Sequence, residues 1–283
     1  MKPEALIASV PKIPAPSPSV ARLLELLARP DGDNDDMIKV VRQDGVMSAK
    51  LLGLCNSAAY GLSAPVTSIE QAVLMLGQME IHKLVMALGF SGAMSPAMPG
   101  YAMQDGELWR HSLLTAYTAV AVTALAKCET ADPAIAYTAG LIHDIGKIVI
   151  THALKPEAQT QLRQLIDFGG KSLLEAEQEI IGCNHAEVGA CLLKQWGLPA
   201  VLLESVAHHH NPVTQPQIQL SAVVHVADVI AHEAGVSPGV ASFALRVDEA
   251  AVAALGLGRE SVEALILSAY DSLARVEEMI SAS

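Results

Sequence analysis

Apolar residues recur at steps of three and four along nearly the whole chain, and no stretch of useful length alternates with a period of two. This pattern predicts an all-α protein. Helices are expected from Ser19 through Ala28, at about 36–43, 48–59, 69–76 and 79–90, then at about 106–127, 133–153 and 156–167. A further helix opens at His185 and stops at Gly197, the next starts at Pro199 and ends in His208-His209-His210 before Pro212, and another covers 220–234. Punctuation supports these bounds: Ser68 with Gln71, and Asn184 with Glu187, have capping-box spacing, and Lys155-Pro156 supplies a break. Residues 1–18, with prolines at 11, 14, 16 and 18, read as extended. The tail, 235–283, has the periodicity of extra packing helices. Gly89 to Gly106, with four Gly and two Pro, reads as a linker between an N-terminal lobe, 1–95, and a second lobe, 96–283.

Within that second lobe one segment stands out, Ala-Gly-Leu-Ile-His-Asp-Ile-Gly-Lys-Ile-Val-Ile-Thr at 139–151. Leu141, Ile142, Ile145, Ile148 and Val149 make it an amphipathic helix facing a core, and His143, Asp144, Lys147 and Thr151 gather on it as a polar wedge. Other positions offer the same chemistry. Glu107 and His111 stand four apart on one helix face, His185 opens a later helix, His209 and His210 end another, and Asp228 lies in the apolar run Val223 to Ile230. Three adjacent histidines cannot all face one point, so at least one of the triplet is a bystander. His225, three residues before Asp228, is either a neighbour of that ligand or a core residue. Imidazoles with a few carboxylates suit one or two divalent ions such as Fe, Mn, Zn or Ni, of the hydrolytic rather than the structural kind.

The cysteines, Cys55, Cys128, Cys183 and Cys191, have no Cys-x-x-Cys spacing and read as reduced core thiols. Asp31 to Asp36 resembles a calcium loop in composition only, because Asp36 and Arg42 occupy the places of the required Gly and Glu; it reads as a solvated loop. Of 283 residues 51% are hydrophobic, which is ample for a core. A net charge of −12 with no basic run, and only 4% aromatics, argue against direct nucleic-acid binding. Mean hydropathy is +0.36, yet charged, Gly or Pro residues interrupt every apolar run before a membrane-spanning length, and the N-terminus has too short an apolar run for a signal peptide. A cytoplasmic protein without membrane contact is expected.

The order His111, His143-Asp144, His185, His209-His210, Asp228 resembles the HD superfamily of metal-dependent phosphohydrolases, and within it the HDOD proteins. Residues outside that order carry the resemblance too: Ile13-Pro14-Ala15-Pro16, Cys55-Asn56-Ser57-Ala58-Ala59-Tyr60-Gly61 and Thr67-Ser68-Ile69-Glu70-Gln71-Ala72. Many HDOD proteins look like HD domains that lost ligands and kept the scaffold, whereas this chain keeps the set. After His209-His210 comes Asn211-Pro212 instead of a Gly-Tyr-Pro segment, which argues against cyclic-dinucleotide hydrolysis of the HD-GYP type.

The resemblance implies an N-terminal HDOD helical bundle packed on an HD lobe. It implies one ion on His111, His143, Asp144 and Asp228, with Asp144 as bridge, and a second on His185, His209 and His210 with Glu107. Asp144 and Lys147 are the expected catalytic groups, Lys147 meeting a phosphate oxygen. His82, His152 and His232 are expected to be dispensable for metal. The functional expectation is a signal-transduction or response-regulator type protein with a signalling protein partner, able to bind a phosphoester or nucleotide, with hydrolysis of a phosphoester as the activity its metal site would allow. The alternatives are a non-catalytic interaction platform, a metabolic HD phosphohydrolase and an HD-type oxygenase.

Overall fold

The computed structural model describes residues 1–282 except 11–12, 14–16, 28–33, 58–59, 128–131, 213–218 and 237–246. Cys128, the first half of the Asp31 to Asp36 run, Pro14 to Pro16 and Ala58-Ala59 therefore lie outside the described residues. The rest is helical: α1 (Pro3–Ala8), α2 (Pro18–Leu27), α3 (Asn34–Gln43), α4 (Gly45–Cys55), α5 (Ile69–Leu76) and α6 (Gln78–Met94) precede a 3-10 turn at Pro99–Tyr101. Then come α7 (Glu107–Leu125), α8 (Pro133–Ile142), α9 (Gly146–Ala153), α10 (Pro156–Asp167), α11 (Leu173–Ile181), α12 (His185–Gln195), α13 (Ala200–His208), α14 (Gln219–Glu233), α15 (Glu249–Ala254) and α16 (Arg259–Ala282). Among the described residues there is no strand, only an isolated bridge between Met98 and Met103.

The caps expected from sequence are in place. Ser68 accepts from the Gln71 backbone, and Asn184 and Glu187 cap α12 reciprocally, which fixes His185 at its first position. Two expectations are corrected. Residues 3–8 are helical rather than extended, because Pro3 occupies the first turn, where its missing N–H costs nothing. The stretch read as a linker is folded: α6 continues through Gly89 and Gly92 to Met94, and Met98, Tyr101 and Met103 beyond it are buried.

A third correction concerns the central segment, which is two helices and not one. Ile145, Lys147 and Ile148 each donate to the carbonyl three residues back, and His143 Nδ1 bonds the Gly140 carbonyl at 2.8 Å, so the chain tightens through His143-Asp144-Ile145. Apolar residues continue across the break, which hides it from periodicity. The stretch Pro133–Ala153 is long and apolar enough in composition to cross a membrane, but 89% of its most apolar window is buried within the protein.

The long helix α7 has α8, α14 and α16 packed around it, while α12 packs on α13, α9 and α1. Two glycines set the spacing. A Cβ on Gly140 would stand 2.9 Å from Ala116 Cα on α7. A Cβ on Gly146 would overlap the His185 carbonyl and lie 2.7 Å from the Gly189 nitrogen on α12. Without these close approaches α7, α9 and α12 could not bring their side chains to one point.

Candidate metal centre

The break between α8 and α9 delivers His143 and Asp144, the start of α7 delivers His111, the start of α12 His185, the end of α13 His209 and His210, and the middle of α14 Asp228. All but His210 are buried, and His210 is partly so. The two carboxylates are the hubs. Asp228 Oδ1 lies 3.0 Å from His111 Nε2 and 3.6 Å from His143 Nε2. Asp144 Oδ1 lies 3.3 Å from His185 Nε2 and 3.9 Å from His209 Nε2, and its Oδ2 lies 3.4 Å from His143 Nε2. His185 and His210 bring their Nε2 atoms within 2.9 Å of each other.

The other ring nitrogens are already committed. His111 donates from Nδ1 to the Val236 carbonyl (3.0 Å), His143 to Gly140 and His209 to Val206 (2.7 Å). An imidazole that donates through Nδ1 and is neutral presents a bare lone pair at Nε2. Burial pulls His111 down to about 4, and burial with the neighbouring His143 and His185 pulls His209 down to about 3, so both rings are neutral at pH 7. At His111 and at His209 a bare nitrogen therefore faces a carboxylate oxygen. His111 Nε2, His143 Nε2, His209 Nε2, Asp144 Oδ1 and Asp228 Oδ1 are all buried without a hydrogen bond. Lone pairs converging on lone pairs in a low-dielectric interior call for a cation between them. Nitrogen and carboxylate donors in one place suit a divalent first-row ion, which this donor set fits.

Electrostatics follow the same layout. Burial would raise Asp144, but Lys147 and His143 hold it well below the usual carboxylate range; burial likewise opposes Asp228, which His111, His143 and His232 hold low. Burial pulls His143 down, yet Asp144 and Asp228 lift it to about 10, and His185 is lifted by Glu177 and Asp144. Burial and its neighbours His209 and His185 hold His210 well below the ordinary imidazole range.

Lys147 is buried, with Nζ 2.5 Å from Asp144 Oδ2 and 6.0 Å from the centre of the Tyr101 ring. Glu107 is placed elsewhere. Its carboxylate accepts from the Gln104 backbone N–H at 2.9 Å and so ties the preceding turn to the start of α7, a role that the shared face with His111 did not reveal. His208 is not among the clustered side chains. His225 donates to the His209 carbonyl at 2.8 Å and accepts from the Asp248 backbone at 3.0 Å, so it fixes the end of α13 that carries His209.

Two participants were not foreseen. Glu177, fully buried on α11, accepts from His185 Nδ1 at 2.8 Å, from its backbone N–H at 2.9 Å and from the Tyr101 hydroxyl at 2.7 Å. Its spacing was informative, since Leu173 and Ile181, one turn to either side, are core residues while Glu175 and Glu179 face solvent. His232, expected to be a bystander, lies one turn from Asp228, with Nε2 3.4 Å from Asp228 Oδ1.

Comparison with known proteins agrees with this architecture. Over 220 residues the chain is 27% identical to an uncharacterized protein of Treponema pallidum (strain Nichols), covering 75% of this chain and 39% of the relative, so it spans well under half of that protein's length. A signal transduction candidate from Marinobacter aquaeolei VT8 superposes with a TM-score of 0.81 at 21% identity, over 100% of this chain and 61% of that one. A phosphohydrolase candidate from Shewanella amazonensis SB2B superposes with a TM-score of 0.73 at 23% identity, over 98% and 97%. Both structures speak to the fold. The HDOD domain family matches residues 13–212, and the chain belongs to that family.

Proposed function

We propose that the chain is a regulatory metalloprotein of the signal-transduction type, in which the helices around α7 hold a divalent metal centre that takes a phosphoester, while residues 1–95 offer the surface for a signalling protein partner. The observation that carries the metal is the pair His111 and Asp228, a neutral ring with its bare nitrogen 3.0 Å from a carboxylate oxygen. When bound, the ion supplies Lewis acidity and neutralises phosphate charge. Lys147 adds a second cation beside Asp144, positioned to meet a phosphate oxygen. Glu177 and His225 hold His185 and His209 in place.

A regulatory role is favoured over a dedicated hydrolase because residues 1–95, a third of the chain, hold none of the clustered His and carboxylate groups found among the described residues. The Marinobacter protein's description points the same way. The second reading, phosphoester hydrolysis, has Lys147 and the description of the Shewanella protein in its favour.

The test begins with elemental analysis of the purified protein and of Asp144→Ala, followed by turnover of a panel of phosphomonoesters, phosphodiesters and nucleotides. Metal in the native protein, lost in the variant, with weak or no turnover is the expected result. Rapid turnover of one phosphoester, abolished in Asp144→Asn, would establish the hydrolase instead, and a metal-free native protein under metal-replete conditions would sink both.

A further inference from the structure

Asp228 Oδ1 receives three ring nitrogens and not two: His111 at 3.0 Å, His232 at 3.4 Å and His143 at 3.6 Å. The Nδ1 atoms of His111 and His143 are already spent on backbone carbonyls, so it is their Nε2 atoms, with that of His232, that converge on this one carboxylate oxygen. His232 is on α14 with Asp228, one helical turn on, so a single rigid element aims both donors. Its ring sits 4.8 Å from that of His111, and donor atoms of His111, Asp228 and His232 lie within 4.8 Å of one another. Asp144, His185, His209 and His210 form a neighbouring group of the same kind, and His111, His143 and Asp144 form a third that links the two.

We propose that His232 is a metal ligand, and that His111, Asp228 and His232 hold one divalent first-row ion, beside a second ion on Asp144, His185, His209 and His210, with His143 standing between them. This rests on the metal-centre reading above and adds to it a residue outside the ligand order that the family resemblance supplies.

The experiment compares the native protein with His232→Ala and His232→Gln after loading with Co2+, measuring metal content, affinity by chelator competition and the visible d–d spectrum. Gln keeps a hydrogen-bond donor for Asp228 and near-native bulk, so it separates ligation from support. The expected result is partial metal loss in both variants, affinity at the emptied end weaker by more than about 100-fold, beyond the 10- to 100-fold usual for loss of an outer partner, and a changed spectrum, with metal at the Asp144 end retained. His232→Gln with native stoichiometry, affinity and spectrum would overturn this inference while leaving the metal centre standing. A native protein that takes up no Co2+ would overturn both.

Discussion

Glu177 accepts two hydrogen bonds from one residue, His185, through its backbone N–H at 2.9 Å and its Nδ1 at 2.8 Å. The same carboxylate takes the Tyr101 hydroxyl, so a buried charge on α11 fixes both the start of α12 and the direction of a ligand ring. Gln at this position has one acceptor oxygen for three donors. Glu177→Gln is expected to weaken metal binding at the Asp144 end roughly 10- to 100-fold, as is usual for an outer partner of a ligating histidine. Glu177→Ala should also lower stability, by about 1–3 kcal/mol for each donor left buried without a partner. Chelator competition and thermal melts check the two effects; unchanged affinity in Glu177→Gln would mean that helix packing alone orients His185.

Gly146 makes a different contribution. Its Cα faces the His185 carbonyl so closely that a methyl group would have to displace α12 backbone. Gly146→Ala is therefore expected to cost on the order of 3 kcal/mol, the upper part of the range for overpacking, and to lower metal content because Asp144 and His185 move apart. A Gly53→Ala control, where nothing lies near the added Cβ, should do neither. Equal behaviour of the two variants in melting and in elemental analysis would show that α9 and α12 tolerate separation.

The contrast between those residues shows what could be read from the sequence. The helical class, the capped start of α12 and the gathering of His111, His143, Asp144, His185, His209, His210 and Asp228 were legible, because periodicity and residue type report on faces and chemistry. The turn at His143-Asp144-Ile145 was not, since Ile142, Ile145 and Ile148 continue a helical pattern through it. Glu107 lies outside that cluster for a related reason: a shared face does not say whether a first-turn carboxylate turns inward or back to the preceding turn. Glu177 and His232 look like ordinary members of polar helix surfaces until their neighbours one turn away, Leu173 with Ile181 and Asp228, are known to be buried.

His82 ties α6 to α8 away from the metal centre, its Nε2 3.2 Å from the Thr138 hydroxyl. Burial pulls it down to about 4 from an ordinary value of 6.5. Between those values the unfolded chain binds the proton and the folded one does not, so this residue's contribution is complete above about pH 6.5 and is lost as pH falls toward 4. The loss amounts to roughly 3 kcal/mol over that window. Denaturant titrations of the native protein and of His82→Gln at several pH values should differ in slope across pH 4–6.5 and run parallel above it. Parallel curves throughout would show that the ring is charged or hydrated in the fold.

Lys147 separates a counter-ion from a ligand-binding group. Its Nζ lies 2.5 Å from Asp144 Oδ2 in a buried site, and each role predicts something different for Lys147→Met, which keeps the stem and removes the charge. If Lys147 mainly neutralises Asp144, its removal leaves a carboxylate whose charge a divalent ion can still balance, so metal affinity should hold or rise. If it also meets a bound phosphate, the variant should lose phosphate affinity by at least about tenfold, the size expected when one charge-assisted hydrogen bond of about 1.5–3 kcal/mol is deleted. The expected outcome is the combination: metal retained in elemental analysis, and inorganic phosphate bound at least tenfold more weakly by calorimetry of the metal-loaded protein. Retained phosphate affinity would confine Lys147 to its pairing with Asp144, and metal loss would make that pair a condition for folding the centre.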